Sequence, residues 1–269
     1  MTTLTRLTNT LSTIELSRTQ RIQSGLIATW ILAMIMLPIL KWIFGRDIIP
    51  FGVTFALLVQ FTAVLSITWT QLGGRQTLIM LGLVATATWG IEYVGSSTGF
   101  PFGAYDYTDI LQPQFGHVPL LIPLAWFMML PSAWVVAASI TGRHNTWLYV
   151  IVSALAITAW DLFLDPQMVD WGFWVWSNPE GYFGIPWSNY AGWLLTGVIV
   201  TLLVRPYRFN LPALPLLTVY GVVWFLQSIG LAVFWGIPGP ALFGSLAMGL
   251  LLFWAVRNYR SQQESNRDQ

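Results

Sequence analysis

An all-α, polytopic transmembrane helix bundle of about eight spans is the fold class this sequence predicts, and three observations predict it. Only 9% of the 269 residues are charged, whereas 55% are hydrophobic. Apolar runs near the roughly 20 residues that a helix needs to cross a bilayer recur along the whole chain. The basic residues also sort to one side of the resulting layout.

The spans are expected at about 25–45, 50–70, 77–95, 119–141, 147–165, 187–205, 213–235 and 239–257. They form a single transmembrane domain over 24–258. Before it, residues 1–23 place Leu4, Leu7, Leu11 and Ile14 at helical spacing among polar residues. That pattern suits either a short amphipathic surface helix or a disordered tail. The first apolar run has full spanning length and no small-residue cleavage site, so no cleavable signal is expected. Pro212 and Pro215 open the seventh span, and Gly221 and Gly230 loosen it, which a packed bundle interior tolerates. The Gly236-Ile-Pro-Gly-Pro240 segment is short but chemically suited to reversing the chain. Residues 259–269 are polar and read as a disordered tail.

Eight spans put both termini on one side. Arg6, Arg18, Arg21, Arg75, Arg143, Arg205, Arg208, Arg257, Arg260 and Arg267 share that side, leaving Lys41 and Arg46 on the other. The positive-inside rule therefore predicts cytoplasmic termini in a multi-pass cell-membrane protein. The acids lie oppositely: Asp47, Glu92, Asp106, Asp109, Asp161, Asp165, Asp170 and Glu180 sit at or near the outer ends.

Cysteine is absent, which excludes disulfides, thiolate catalysis and thiolate metal sites. His117 and His144 fall on opposite sides and cannot share a haem in this layout. A net charge of +1 gives no electrostatic case for nucleic acid.

Two outer connections do not read as ordinary loops. The segments 96–118 and 166–186 are aromatic, acidic and punctuated by Gly and Pro. Alternation in Tyr105-Asp106-Tyr107 and Phe173-Trp174-Val175-Trp176 predicts short extended pieces. The two segments also resemble each other. Each follows a helix with an acid near its outer end, and each closes on Phe-Gly followed by Pro, at Phe115-Gly116 with Pro119 and Phe183-Gly184 with Pro186. A duplicated helix–loop–helix unit would set the acids around a pseudo-symmetric cavity. Interfacial belts account for many of the sixteen tryptophans, but not for their interleaving with acids. An aromatic pocket with a few acids suits an apolar substrate that becomes briefly positive.

Acids inside apolar spans are costly and mark function by default. Glu92 follows Trp89, and Asp161 follows Trp160 at similar depth, in spans that run in the same direction. Asp161 and Asp165 are one helical turn apart and share a face. Carboxyls brought together in an oily surrounding can divide the roles of proton donor and acceptor. The bland alternatives are a salt bridge, for which only Arg46 lies at the right depth, and helix termination at Asp165-Pro166. Asp106, Asp109, Asp170 and Glu180 are most simply turn-forming or solvated. Glu92 and Asp161 are thus the first catalytic candidates and Asp165 the next.

The sequence resembles the membrane-bound carotenoid hydratases. The resemblance rests on Trp89-Gly-Ile-Glu92, Gly99-Phe-Pro-Phe-Gly103, Tyr105-Asp106-Tyr107-Thr108, Gly116-His-Val-Pro-Leu120, Ile122-Pro-Leu-Ala-Trp126, Trp160-Asp161, Asp165-Pro166, Tyr182-Phe-Gly-Ile-Pro-Trp-Ser-Asn189 and Gly192-Trp193. It covers roughly residues 75–205 with order and spacing preserved. It implies a lipophilic carotenoid substrate, membrane lipid around it, association with other carotenoid-pathway enzymes, and hydration of the terminal C-1,2 double bond of an acyclic end. No cofactor or metal is expected for that reaction. Trp89, Tyr93, Tyr105, Asp106, Tyr107, Asp109, Trp126, Trp160, Trp174 and Asn189 are the expected substrate-contacting residues, with Asn189, Tyr105 and Tyr107 suited to positioning water. A carotenoid cyclase, which captures the same cation internally, and a proton-coupled transporter are the competing readings.

Overall fold

The computed structural model describes residues 17–267. Eight of its helices are long and apolar enough to cross a membrane. They are α1 (Arg18–Phe44), α2 (Ile49–Leu72), α3 (Gly74–Thr98), α4 (Leu121–Thr141), α5 (Thr146–Asp170), α6 (Trp187–Val204), α7 (Ala213–Ile229) and α8 (Pro238–Arg267). Four short strands lie in the two long connections: β1 (Tyr105–Tyr107), β2 (Gln114–Phe115), β3 (Val118–Pro119) and β4 (Trp174–Trp176). The fold is the expected transmembrane helix bundle.

Local chemistry sets the boundaries. α1 starts earlier than the hydropathy alone suggests, because Ser17 and Gln20 form a reciprocal capping box at its N-terminus. Residues 1–16 of the amphipathic segment expected over 1–23 lie outside the described residues. α3 stops at Gly99, whose left-handed backbone (φ 78°) would strain a side-chain-bearing residue. α7 passes into a π-helical turn at Gly230–Phe234 before the Gly236 reversal. Within the segment expected as a disordered tail, the described residues 259–267 continue α8 as a polar helix to Arg267.

α5 departs from expectation in a way that matters for function. The Asp165-Pro166 pair suggests a helix end, yet Pro166 lies inside the helix and α5 runs on to Asp170. Proline has no N–H to donate to the carbonyl four residues earlier. That carbonyl, Leu162 O, instead accepts a hydrogen bond from the Tyr182 hydroxyl at 3.2 Å. The loop thus supplies the donor that proline removes, and the turn carrying Asp165 stays helical.

α4 is the central element, buried along most of its length, whereas α1 buries few residues. It packs against α2, α3, α5, α7 and α8. Outward faces carry exposed Trp42, Phe51, Leu78, Leu246 and Phe253, as a bilayer-embedded surface requires. Contacts between connections fix which ends lie together. Arg46 donates to the Asp170 backbone and carboxylate, and Lys41 lies over the Trp235 ring, so the α1–α2, α5–α6 and α7–α8 turns share one end. Arg143 bonds Asn210 at the opposite end.

The two long connections join each other. β1 pairs antiparallel with β4, matching Tyr105 with Trp176 and Tyr107 with Trp174. Ser177 N donates to Ala104 O at one end and Thr108 N to Phe173 O at the other. This register is centred on the Asp106–Val175 pair, so each inward aromatic of β1 meets an inward aromatic of β4. Trp126 of α4 and Trp193 of α6 stack on each other with ring centroids 4.1 Å apart.

Candidate active site

Beneath the β1–β4 ribbon, three buried carboxyls gather from two helices that do not pack closely together. Glu92 comes from α3, and Asp161 and Asp165 come from α5, with α4 and α6 between them. Their residues are 5%, 0% and 2% exposed. Arg46, the only cation the sequence put at this depth, pairs instead with exposed Asp170 at 3.2 Å. Salt bridging therefore does not account for the three acids.

Each acid has its own set of donors. Glu92 Oε2 accepts from the hydroxyls of Tyr105 at 2.6 Å and Tyr107 at 2.8 Å, and Oε1 accepts from Trp126 Nε1 at 3.3 Å. Strand alternation directs both tyrosines inward and leaves Asp106 exposed between them. Burial first, and then the Glu92 charge, hold both phenols well above their usual pKa, so they remain neutral donors. On the other side, Asp165 Oδ1 accepts from Trp174 Nε1 at 2.7 Å and Trp176 Nε1 at 3.3 Å. Asn189 Nδ2 bridges the α5 pair, donating to Asp165 Oδ2 at 2.5 Å and Asp161 Oδ2 at 2.9 Å. Asp161 Oδ1 is buried without a partner among the described residues.

Glu92 and Asp165 line the same small cavity of about 40 Å³, room for a few water-sized atoms. Its walls include Phe102, Trp126, Trp176, Asn189 and Trp193. Phe102 fits there because its ring wedges between two glycines. A Cβ on Gly95 of α3 would stand 2.6 Å from the ring, and one on Gly192 of α6 would stand 2.5 Å from it.

A much larger apolar cavity of about 330 Å³ adjoins it, and Ile122, Ala125, Leu164 and Trp174 line both. α1, α2, α4, α5, α7 and the π-helical turn contribute to its walls, with Trp30, Trp160, Trp171 and Trp235 among the lining aromatics. Together they form an oily chamber with an acidic recess. Such an arrangement can hold an apolar chain in the chamber and deliver its end to proton-transfer groups in the recess.

The structure sorts the sequence candidates. It brings Glu92, Asp165, Tyr105, Tyr107, Trp126, Trp174 and Asn189 to the recess. Asp161 sits behind Asn189, and Trp160 lines the larger chamber. Four candidates lie elsewhere. Trp89 and Tyr93 stack on one another on the outer face of α3, where Trp89 bonds Phe115 O and Tyr93 stacks on His117. Asp106 and Asp109 are exposed. Sequence reasoning missed Phe102, Trp176 and Trp193 as recess walls. Trp176 was accessible from its two-residue spacing to Trp174, and Phe102 from its Gly-Phe-Pro-Phe-Gly setting.

Comparison with known proteins supplies the family. A family model described as carotenoid biosynthesis protein matches residues 51–252, which carry every residue of the recess. The chain belongs to the carotenoid biosynthesis protein family. Within it, 128 residues are 37% identical to bisanhydrobacterioruberin hydratase of Haloarcula japonica, covering 46% of this chain and 43% of that protein. The match thus spans less than half the length of that curated relative. No solved structure matches this family member.

Proposed function

We propose that this protein is a hydratase of carotenoid biosynthesis that adds water across the terminal C-1,2 double bond of an acyclic carotenoid end. The observation that carries the reading is the acidic recess, with Glu92 and Asp165 on its wall, adjoining an apolar chamber with which it shares four lining residues. The name of the Haloarcula japonica relative points to the same class of reaction.

A recess carboxyl gives its proton to the CH carbon of the trisubstituted alkene, and the neighbouring carbon becomes a tertiary cation. Trp126, Trp174, Trp176 and Trp193 present aromatic surface around it, which attracts positive charge. A water oxygen bonds to the cation and sheds one proton to a second carboxylate, leaving a tertiary alcohol. Atoms and charge balance with water alone. The two tyrosines on Glu92 and the Asn189 bridge between Asp161 and Asp165 hold the acids in place while protons move. The substrate enters sideways from the bilayer, its polyene in the chamber. The protein sits in the cell membrane with both termini cytoplasmic and works beside other enzymes of the pathway.

Membranes bearing Glu92→Gln, Asp161→Asn or Asp165→Asn, supplied with an acyclic carotenoid in oxygen-labelled water, test these roles. Loss of labelled tertiary alcohol is expected in each. A variant that forms it at the wild-type rate removes that carboxyl from the mechanism.

A further inference from the structure

The apolar chamber contains polar groups that its oily character does not explain. Gln167 stands in the last turn of α5, Trp171 caps the C-terminus of that helix, and Gln227 stands on α7; all three line the chamber. The glutamines are only 2% and 7% exposed. Neither side chain has a hydrogen-bond partner among the described residues, and the buried Trp171 Nε1 lacks one as well. A third glutamine, Gln60, lines the same chamber but donates to Met129 Sδ at 3.3 Å.

Buried amides and indole N–H groups are normally paired, because leaving them unpaired in an apolar surrounding costs free energy. A chamber meant only for hydrocarbon would be lined more stably by Leu and Phe. Here three N–H-bearing groups from two helices open on one cavity, next to the recess that receives the reacting end. Their common complement is a neutral oxygen acceptor carried on an otherwise apolar chain. A charged headgroup does not fit, since no Lys, Arg, Asp or Glu among the described residues lines this chamber.

We propose that Gln167, Trp171 and Gln227 form a specificity site for an oxygen function, a hydroxyl, ether or carbonyl, on the carotenoid held in the chamber. The preferred substrate is therefore an already oxygenated carotenoid, and an oxygen-introducing reaction precedes this one. The inference rests on the carotenoid hydration proposed above and adds which member of the substrate class is selected.

A competition experiment tests it. Wild-type protein in lipid-free detergent receives equal amounts of two acyclic carotenoids with the same reacting end, one a hydrocarbon and one bearing a hydroxyl or keto group along the chain. The readout is the ratio of the two hydrated products, so a general loss of activity in a variant cancels. Wild type is expected to favour the oxygenated substrate by about tenfold, the scale of one or two net hydrogen bonds. Gln167→Leu, Gln227→Leu and Trp171→Phe are each expected to move the ratio towards one. Trp171→Phe keeps an aromatic ring and removes the N–H, which separates hydrogen bonding from packing. Equal hydration of both substrates by wild type, as a chamber for hydrocarbon or phospholipid would give, overturns the proposal and leaves the hydratase reading intact. So does a wild-type preference that survives all three substitutions. Hydration of neither substrate overturns both.

Discussion

Exchanging Asn189 for Asp changes one atom group and almost no volume, yet it strikes the centre of the carboxyl cluster. In the native protein one amide nitrogen spends its two hydrogens on two acids, at 2.5 Å to Asp165 and 2.9 Å to Asp161. The introduced carboxylate would offer an acceptor where both neighbours are acceptors, inside a region that is almost fully buried. A hydrogen bond to a carboxylate contributes about 1.5–3 kcal/mol, so losing two sets a cost of roughly 3 kcal/mol even at the lower limit. If half or more of that cost falls on the geometry needed for proton transfer, turnover drops by at least about tenfold, and by about a hundredfold if all of it does. Asn189→Leu also removes both donors but adds no acid, so it is expected to be less damaging than Asn189→Asp. The assay is alcohol formation from an acyclic carotenoid, with the unfolding midpoint in the same detergent as the measure of stability. An Asn189→Asp protein with turnover within about threefold of wild type and an unchanged midpoint would refute the bridge.

Three further perturbations follow from particular contacts. Gly192→Ala places a Cβ 2.5 Å from the Phe102 ring and is expected to cost about 1–3 kcal/mol of stability, whereas Gly90→Ala, with nothing within 4 Å, is expected to be neutral or stabilising by up to about 1 kcal/mol; paired thermal melts check the contrast. Tyr182→Phe leaves Leu162 O without its donor beside Pro166 and is expected to lower stability by about 1–3 kcal/mol, read from the unfolding midpoint; no change would mean that the carbonyl finds another partner. Arg46→Ala removes only an exposed pair with Asp170 and is expected to change stability by less than about 1 kcal/mol and activity not at all, measured at low and high salt.

Hydropathy made the bundle legible because every span must satisfy its backbone internally and hide it in apolar surface. The inward alternation of Tyr105, Tyr107, Trp174 and Trp176 was legible too, since a half-buried strand has a period of two. What the linear pattern could not convey was pairing across distance. Nothing local says that the 105–107 and 174–176 stretches are partners, or that Asn189 bridges two acids on another helix. Asp165 shows why a sound local rule fails: Asp-Pro does favour helix termination, but a tyrosine hydroxyl seventeen residues beyond Asp165 satisfies the freed carbonyl and keeps the turn intact. Trp89 and Tyr93 show the converse. They sit beside Glu92 in sequence, yet helical rotation turns them to the outer face, where Trp89 packs against Phe115 and Tyr93 stacks on His117. The chamber glutamines escaped notice because α2, α5 and α7 assemble it jointly and no single span carries its pattern.

The central claim is that an acidic recess at the end of an apolar chamber adds water to a carotenoid end. The most direct measurement is the mass of the pigment recovered after wild-type protein acts on an acyclic carotenoid in oxygen-labelled water. The account predicts a product heavier by one labelled water for each reacted end, carrying the label in a tertiary alcohol. A product of unchanged mass, whether cyclised or merely transported, would contradict it.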